Sequence, residues 1–239
     1  EGKGLMKYKD GTVYKGEWKN DKKDGNGQIV YPSSRSSDAL MEYKGLFKND
    51  AIDNIGKFLY SADKTLNPTQ IESANVKKVN GNKLFGTITW RDAPEETARK
   101  YHGDLIEVKE KRFFLAHDSK GKYESSIEEY TGGFKHGKKE GQGRQVIHAD
   151  QSCYTGNFSN NMRNGNGTED LINGDTYTGE WKDDKKSGQG EEEIVSRSPT
   201  EKYMGSFKDG LRNGTGTLLF LERNEMIQAK WFKGQRVTE

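Results

Sequence analysis

Tyr177-Thr178-Gly179-Glu180-Trp181-Lys182-Asp183-Asp184-Lys185-Lys186-Ser187-Gly188-Gln189-Gly190 is the stretch on which the fold turns. Residues two apart on a strand share a face. Tyr177, Gly179 and Trp181 therefore point one way, and Thr178, Glu180 and Lys182 the other. One face is ring and glycine and the other is charged or hydroxylic, the alternation of a half-buried antiparallel strand. A polar tip follows, seen elsewhere as Asn20-Asp21-Lys22, Asn49-Asp50 and His136-Gly137, with the chemistry of a tight hairpin turn. The returning strand carries two glycines. Glycine weakens a strand, so its recurrence needs a cause. Rings that lie across bare glycine backbone bury themselves without a second layer.

The pattern repeats along the chain. Its strong copies begin at Tyr14, Tyr43, Tyr130, Tyr154, Tyr177 and Tyr203, each with a ring four residues on: Trp18, Phe47, Phe134, Phe158, Trp181 and Phe207. Thirteen residues after each tyrosine stands Gly27, Gly56, Gly143, Gly167, Gly190 or Gly216. A second glycine precedes it by two positions in every copy but one, where Asn54 stands. Between Tyr43 and Tyr130 there is room for two degenerate units. One begins at Tyr101, with Phe114 at its later glycine position, and the other begins near Ser73 and uses Gly86. Residues 1–13 and 227–239 read as half-repeats. The chain is thus expected to be one array over 1–239, with strong repeats at 14–60 and 130–220 and degenerate repeats with long loops at 61–129. Connecting loops are expected at 32–41, 61–71, 91–100, 116–128 and 195–201, with a short helix over Ala93–Lys100.

Tyr-x-Gly-x-Phe/Trp followed by Gly-x-Gly resembles the MORN repeat, and the resemblance covers nearly the whole chain. It implies an all-β fold, an elongated single-layer antiparallel sheet of tandem hairpins, in which each hairpin is stabilised by its neighbours. Inherited twist is expected to curl the sheet so that the aromatic face becomes a groove. MORN arrays occur in junctophilins, ciliary and axonemal proteins, protist cytoskeletal scaffolds, plant phosphatidylinositol phosphate kinases and a lysine methyltransferase. Across that family the array binds, spaces or dimerises, and any chemistry belongs to another domain.

Composition narrows the function classes. Apolar residues are only 30% of the chain, too few to fill a thick two-layer core, yet aromatics reach 10%, which argues against disorder. Thirty-nine basic and 37 acidic side chains nearly cancel, so the dominant basic footprint of a nucleic-acid binder is missing. The lone Cys153 excludes an internal disulfide and a multi-Cys zinc site. His102, His117, His136 and His148 lack metal-ligand spacing, and the Gly-x-Gly pairs do not extend to a phosphate loop. Nothing assembles a nucleophile, a base and an oxyanion site. No catalytic residue, metal or cofactor is expected, and a cytoplasmic, cytoskeletal or ciliary setting is.

Two surfaces carry the binding expectations. Taken singly, each ring is cover for glycine. Together, Tyr14, Trp18, Tyr43, Phe47, Tyr130, Phe134, Tyr154, Phe158, Tyr177, Trp181, Tyr203 and Phe207 form an aromatic strip, read as the groove for a partner helix or extended peptide. Sheet edges at the half-repeats add a route to self-association. The second surface is Lys22, Lys23, Lys138, Lys139, Lys185 and Lys186, which on one rim would meet anionic phospholipid. Interleaved Asp21, Asp24, Glu140, Asp183 and Asp184 cancel much of that field. A protein-binding scaffold leads these readings, followed by a peripheral phospholipid-binding module and a regulatory array of a larger enzyme.

Overall fold

The structure, a computed structural model, describes residues 1–32, 40–60, 71–79, 83–90, 99–108, 113–116 and 120–237. The described residues are all-β, twenty strands in antiparallel pairing that do not close into a barrel. It divides into two compact units, Glu1–Ser126 and Ile127–Glu239.

The first unit holds β1 (Gly2–Lys7), β2 (Val13–Lys19), β3 (Lys22–Val30), β4 (Leu40–Lys48), β5 (Ala51–Tyr60), β6 (Ile71–Val79), β7 (Lys83–Trp90), β8 (Lys100–Val108), β9 (Phe113–Ala116) and β10 (Gly121–Glu124). From β1 to β9 each strand pairs with the next, and β10 also pairs with β8. The second unit holds β11 (Glu128–Lys135), β12 (Lys138–Ile147), β13 (Cys153–Ser159), β14 (Met162–Asp170), β15 (Thr176–Lys182), β16 (Lys185–Ile194), β17 (Glu201–Lys208), β18 (Leu211–Phe220), β19 (Glu225–Phe232) and β20 (Gln235–Arg236). Here too each strand pairs with its successor.

In the six units that begin with a motif tyrosine at 14, 43, 130, 154, 177 and 203, the hairpin tips are two residues long and left-handed at both positions. Asn20 and Asp21 have φ of 50° and 59°, and Asp183 and Asp184 have 48° and 64°. This geometry matches the twist of the flanking strands, and Asn and Asp tolerate it better than other side chains. Tips also hold the preceding repeat within a compact unit. Asp184 accepts the Arg163 backbone N–H at 2.8 Å and donates its own N–H to the Arg163 carbonyl at 3.1 Å. Asp50 and Asn161 do the same to Lys23 and Lys139.

The two glycines of Gly-x-Gly have different causes. Gly16 pairs with Gly27 but Trp18 pairs with Lys23, so Glu17 alone faces Asp24, Gly25 and Asn26. The surplus on β3 is a bulge, and Gly25 takes it up at φ 99°, which a side chain would resist. Glu17 Oε2 then accepts the Asn26 N–H at 2.8 Å. Gly27 instead lies beneath a ring, and a Cβ there would sit 2.5 Å from Tyr14 Oη. Glycines of this second kind line up across the strands. The column runs Gly4, Gly16, Gly27, Gly45 and Gly56 in the first unit, and from Gly132 through Gly143, Gly156, Gly167, Gly179, Gly190 and Gly205 to Gly216 in the second.

The degenerate middle keeps the hairpins but changes their filling. The unit expected near Ser73 puts a fully buried Ala74 where other units have tyrosine, and pairs Val76 with Gly86. Valine supplies the bulk that the absent ring does not. In the Tyr101 unit Phe114 pairs with Glu107, far from the glycine column, because β8 and β9 extend the hairpin arm. Lys122 pairs with His102, which brings Gly121 level with Gly103. The loop expected over 116–128 is thus interrupted by β10. Most of the loops expected at 32–41, 61–71 and 91–100 lies outside the described residues, as does the helix expected over Ala93–Lys100, except that Lys100 opens β8.

Candidate functional site

The rings read as a partner-binding strip form a closed ladder. Tyr177 meets Trp181 of its own hairpin at 5.2 Å between centroids and Phe207 of the next at 4.9 Å, both edge-to-face. The ladder runs Phe134, Tyr130, Phe158, Tyr154, Trp181, Tyr177, Phe207, Tyr203, Trp231 through the second unit. In the first unit Trp18, Tyr14, Phe47, Tyr43 and Phe58 form a shorter one. Each such pair adds about 0.5–1.5 kcal/mol beyond burial. The tyrosines and phenylalanines of the expected strip and Trp181 are buried, and Trp18 is half-buried. Each of the six motif tyrosines also donates its hydroxyl to the carbonyl three residues on, Tyr14 to Glu17 at 2.9 Å and Tyr177 to Glu180 at 2.9 Å among them. As folded, these tyrosines offer a partner no ring surface.

A cation closes the ladder from outside. Nine residues after the tyrosine, and paired with the second ring, stand Lys23, Lys139, Arg163, Lys186 and Arg212. Lys186 Nζ lies 4.8 Å from the Tyr177 centroid and 2.6 Å from Glu192 Oε1. Arg212 lies 4.7 Å from the Tyr203 centroid, with its Nε 3.0 Å from Glu192. Arg163 stands over Trp181 at 4.3 Å and pairs with Glu169 at 2.5 Å. Lys139 pairs with Glu128 at 2.5 Å over Tyr130, and burial lowers its pKa. Ring, cation and carboxylate thus form successive layers over the glycine column.

The six lysines read as a rim fall on opposite faces. Lys23, Lys139 and Lys186 belong to the cation layer and are held by carboxylates, Lys23 by Asp50 at 3.5 Å. Lys22, Lys138 and Lys185 are exposed. They are not one rim, because adjacent residues on a strand point to opposite faces. The signal for the cation layer was present in the sequence as a Lys or Arg at tyrosine plus nine.

Removing the shared carboxylate should be costly. Glu192→Gln leaves Lys186 without its anion and strips one from Arg212, the two cations being 20% and 10% exposed. Breaking a buried pair costs about 3–5 kcal/mol, and partial solvent contact reduces this to roughly 2 kcal/mol. Lys202→Ala removes a more open pair with Glu191 and should cost less than about 1 kcal/mol. Urea denaturation of the two variants checks the contrast.

Furrows run along the polar face, opposite the rings, among the described residues. On the aromatic side the tyrosines fill the space above glycine and the cations cover them. On the polar side the glycine column turns bare backbone outward between two rows of side chains. One furrow there, of about 760 Å³, is lined by Lys3, Leu5, Lys15, Glu17, Asn26, Gln28 and Lys44 over Gly4, Gly16, Gly27 and Gly45. The second unit has another of about 590 Å³, lined by Thr178, Gln189, Glu191, Met204, Thr217 and their neighbours.

The family model for the MORN repeat matches residues 14–34, 130–146, 154–176, 177–196 and 203–220. The chain carries five MORN repeats. The Tyr43 hairpin, outside those matches and lacking the first glycine, keeps the MORN hydroxyl bond, Tyr43 to the Leu46 carbonyl at 2.7 Å. No curated protein matches the chain. Among the described residues no helix is long and apolar enough to cross a membrane.

Proposed function

We propose that this MORN chain is a non-enzymatic protein-binding array whose partners lie along the furrows of its polar face. MORN repeats are known in scaffolds for protein–protein and membrane interaction and are typically non-catalytic. The observation that carries the choice of face is the contrast between the two sides of the sheet. The aromatic side is covered by its own cations and carboxylates, whereas the polar side presents furrows of about 590 and 760 Å³. An extended segment suits such a furrow. It needs only side-chain contacts, because the backbone groups of the floor are already paired within the sheet. A cytoskeletal or ciliary assembly is the setting suggested by the family resemblance. An anionic membrane surface is supported more weakly, since Lys22, Lys138 and Lys185 alone remain exposed among the six lysines.

Filling a furrow tests this reading without disturbing the ladder. Met204 and Thr217 line the second furrow and point away from the rings. Met204→Trp with Thr217→Trp is expected to cut partner recovery in a native pull-down at least about tenfold, with an unchanged melting temperature. A cluster of well-desolvated contacts typically dominates binding energy, so obstructing it should register at that scale. Recovery equal to wild type from the folded variant would remove the furrow from the account.

A further inference from the structure

The two furrows differ in charge although the repeats that build them are alike. In the second unit the charged lining residue is Glu191, which Lys202 holds at 2.6 Å, and the remaining side chains are amides, hydroxyls and Met204. In the first unit Lys3, Lys15 and Lys44 line the furrow, and Lys57 continues the row because it pairs across the strands with Lys44. All four are exposed, and none has an ion-pair partner among the described residues. Two acids stand nearby, each held by a neutral donor and keeping its charge. Glu17 accepts the Asn26 N–H of the bulge at 2.8 Å, and Glu42 accepts the Gln28 amide at 2.8 Å. A concave, low-dielectric wall lined mostly by one sign of charge focuses its field into the cleft. With four lysines against Glu17 in the lining and Glu42 beside it, this is a net-basic furrow in a chain whose net charge is only +2.

We infer that the furrow of the first unit binds an acidic, extended peptide segment that carries an apolar side chain. The occupant's charge follows from Lys3, Lys15, Lys44 and Lys57. Its apolar residue follows from Leu5, which is 59% exposed on the furrow wall, with Leu46 on β4, two strands from Lys15, on the same face. Spacing fits a polypeptide. Lys15 on β2 and Lys44 on β4 are two strands apart, roughly 10 Å, and Lys57 on β5 adds roughly 5 Å. Alternate side chains of an extended peptide recur at roughly 7 Å, so successive acidic side chains reach successive lysines with small adjustments of the long lysine stems. A bilayer surface is flat and does not follow a furrow. A nucleic acid strand would seek stacking rings, whereas the furrow lining holds none. The assignment rests on the protein-binding reading above and adds the chemistry of the partner for one unit.

The test is fluorescence anisotropy with the full chain and three probes: a labelled peptide of Glu and Ser residues with a central Leu, its Lys-for-Glu counterpart, and phosphatidylserine vesicles. The acidic peptide should bind, with an affinity that falls as salt rises, and the basic counterpart should not. Lys15→Glu with Lys44→Glu should weaken the acidic peptide at least about tenfold. Lys138→Glu with Lys185→Glu, at exposed hairpin positions of the second unit, should leave it unchanged. Equal binding by the Lys15/Lys44 variant, with its circular dichroism and melting intact, overturns the inference. So does vesicle binding that depends on Lys15 and Lys44 while the peptide fails. If the peptide fails but Met204→Trp with Thr217→Trp still abolishes partner recovery, the charge assignment falls and the wider protein-binding reading stands. If both fail, both fall.

Discussion

Gly167→Ala is expected to destabilise the second unit by about 3 kcal/mol, roughly twice the cost of Gly165→Ala two residues earlier. The added methyl at position 167 would run into the Tyr154 ring, whose Oη, Cε2 and Cζ are its nearest neighbours. Tyr154 cannot yield easily. It is 3% exposed, it donates to the Asn157 carbonyl at 3.0 Å, and Phe158 and Trp181 hold it edge-on from both sides. Overpacking of a tight core costs about 1–3 kcal/mol, and lifting the ring would forfeit its ladder contacts as well. Gly165 presents a different obstacle. Its φ of 92° is the strain, and a Cβ there meets only Asn157 at 3.2 Å. Left-handed backbone costs a non-glycine residue roughly 1–2 kcal/mol.

A double-mutant cycle separates the two causes. Tyr154→Ala alone removes a buried ring and should cost about 3–5 kcal/mol. In that background Gly167→Ala should become nearly neutral, because the clash is gone and alanine suits a strand better than glycine. Gly165→Ala should keep its cost in either background. Sites in contact couple and sites with separate causes add, so denaturant titration of the second unit distinguishes them. If Gly167→Ala remained costly without the ring, the covering of glycine by Tyr154 would not be its reason.

These positions also mark how far the sequence could be read. The tyrosine, the two-residue tip and the Gly-x-Gly pair are local signals at fixed spacing, and each became the expected element. What stayed hidden depended on relations across strands. Lys22 and Lys23 look alike in sequence, yet strand alternation sends one to solvent and the other over Tyr14, 5.7 Å from its centroid. That distinction is available only once the register through the bulge is known. Gly121 could not be recognised as the glycine of the Tyr101 unit, because a lengthened hairpin arm separates it from the usual offset. Ala74 and Val76 carry no ring to mark them. The presence of furrows on the polar face is also beyond alternation, which only sorts side chains into two sets. Packing decides it: the ladder and its cations occupy one side, and the other is left open.

The same burial makes the fold sensitive to alkali. Desolvation raises the Tyr154 phenol to about 12, Tyr130 and Tyr177 go further in the same direction, and Tyr14 and Tyr203 are raised as well. In the unfolded chain a tyrosine ionises near about 10. Between the two values the unfolded chain releases a proton that the fold retains, so rising pH favours unfolding. The stability these phenols confer is whole below about pH 10 and is lost as pH climbs through the folded values. For Tyr154 alone the loss amounts to roughly 2–3 kcal/mol. Because the rings share one ladder, phenolate absorbance should appear together with loss of the β-sheet circular dichroism, not residue by residue. Tyr154→Phe gives the sharper measurement. It removes the hydroxyl bond to Asn157, so at neutral pH it should be less stable than wild type by about 1 kcal/mol. It also removes the ionising group. Wild type exhausts an advantage of that size within about one pH unit above its unfolded value, and the two stability curves should therefore cross near about pH 11. Curves that stay parallel through the alkaline range would mean that the Tyr154 phenol ionises without opposing the fold.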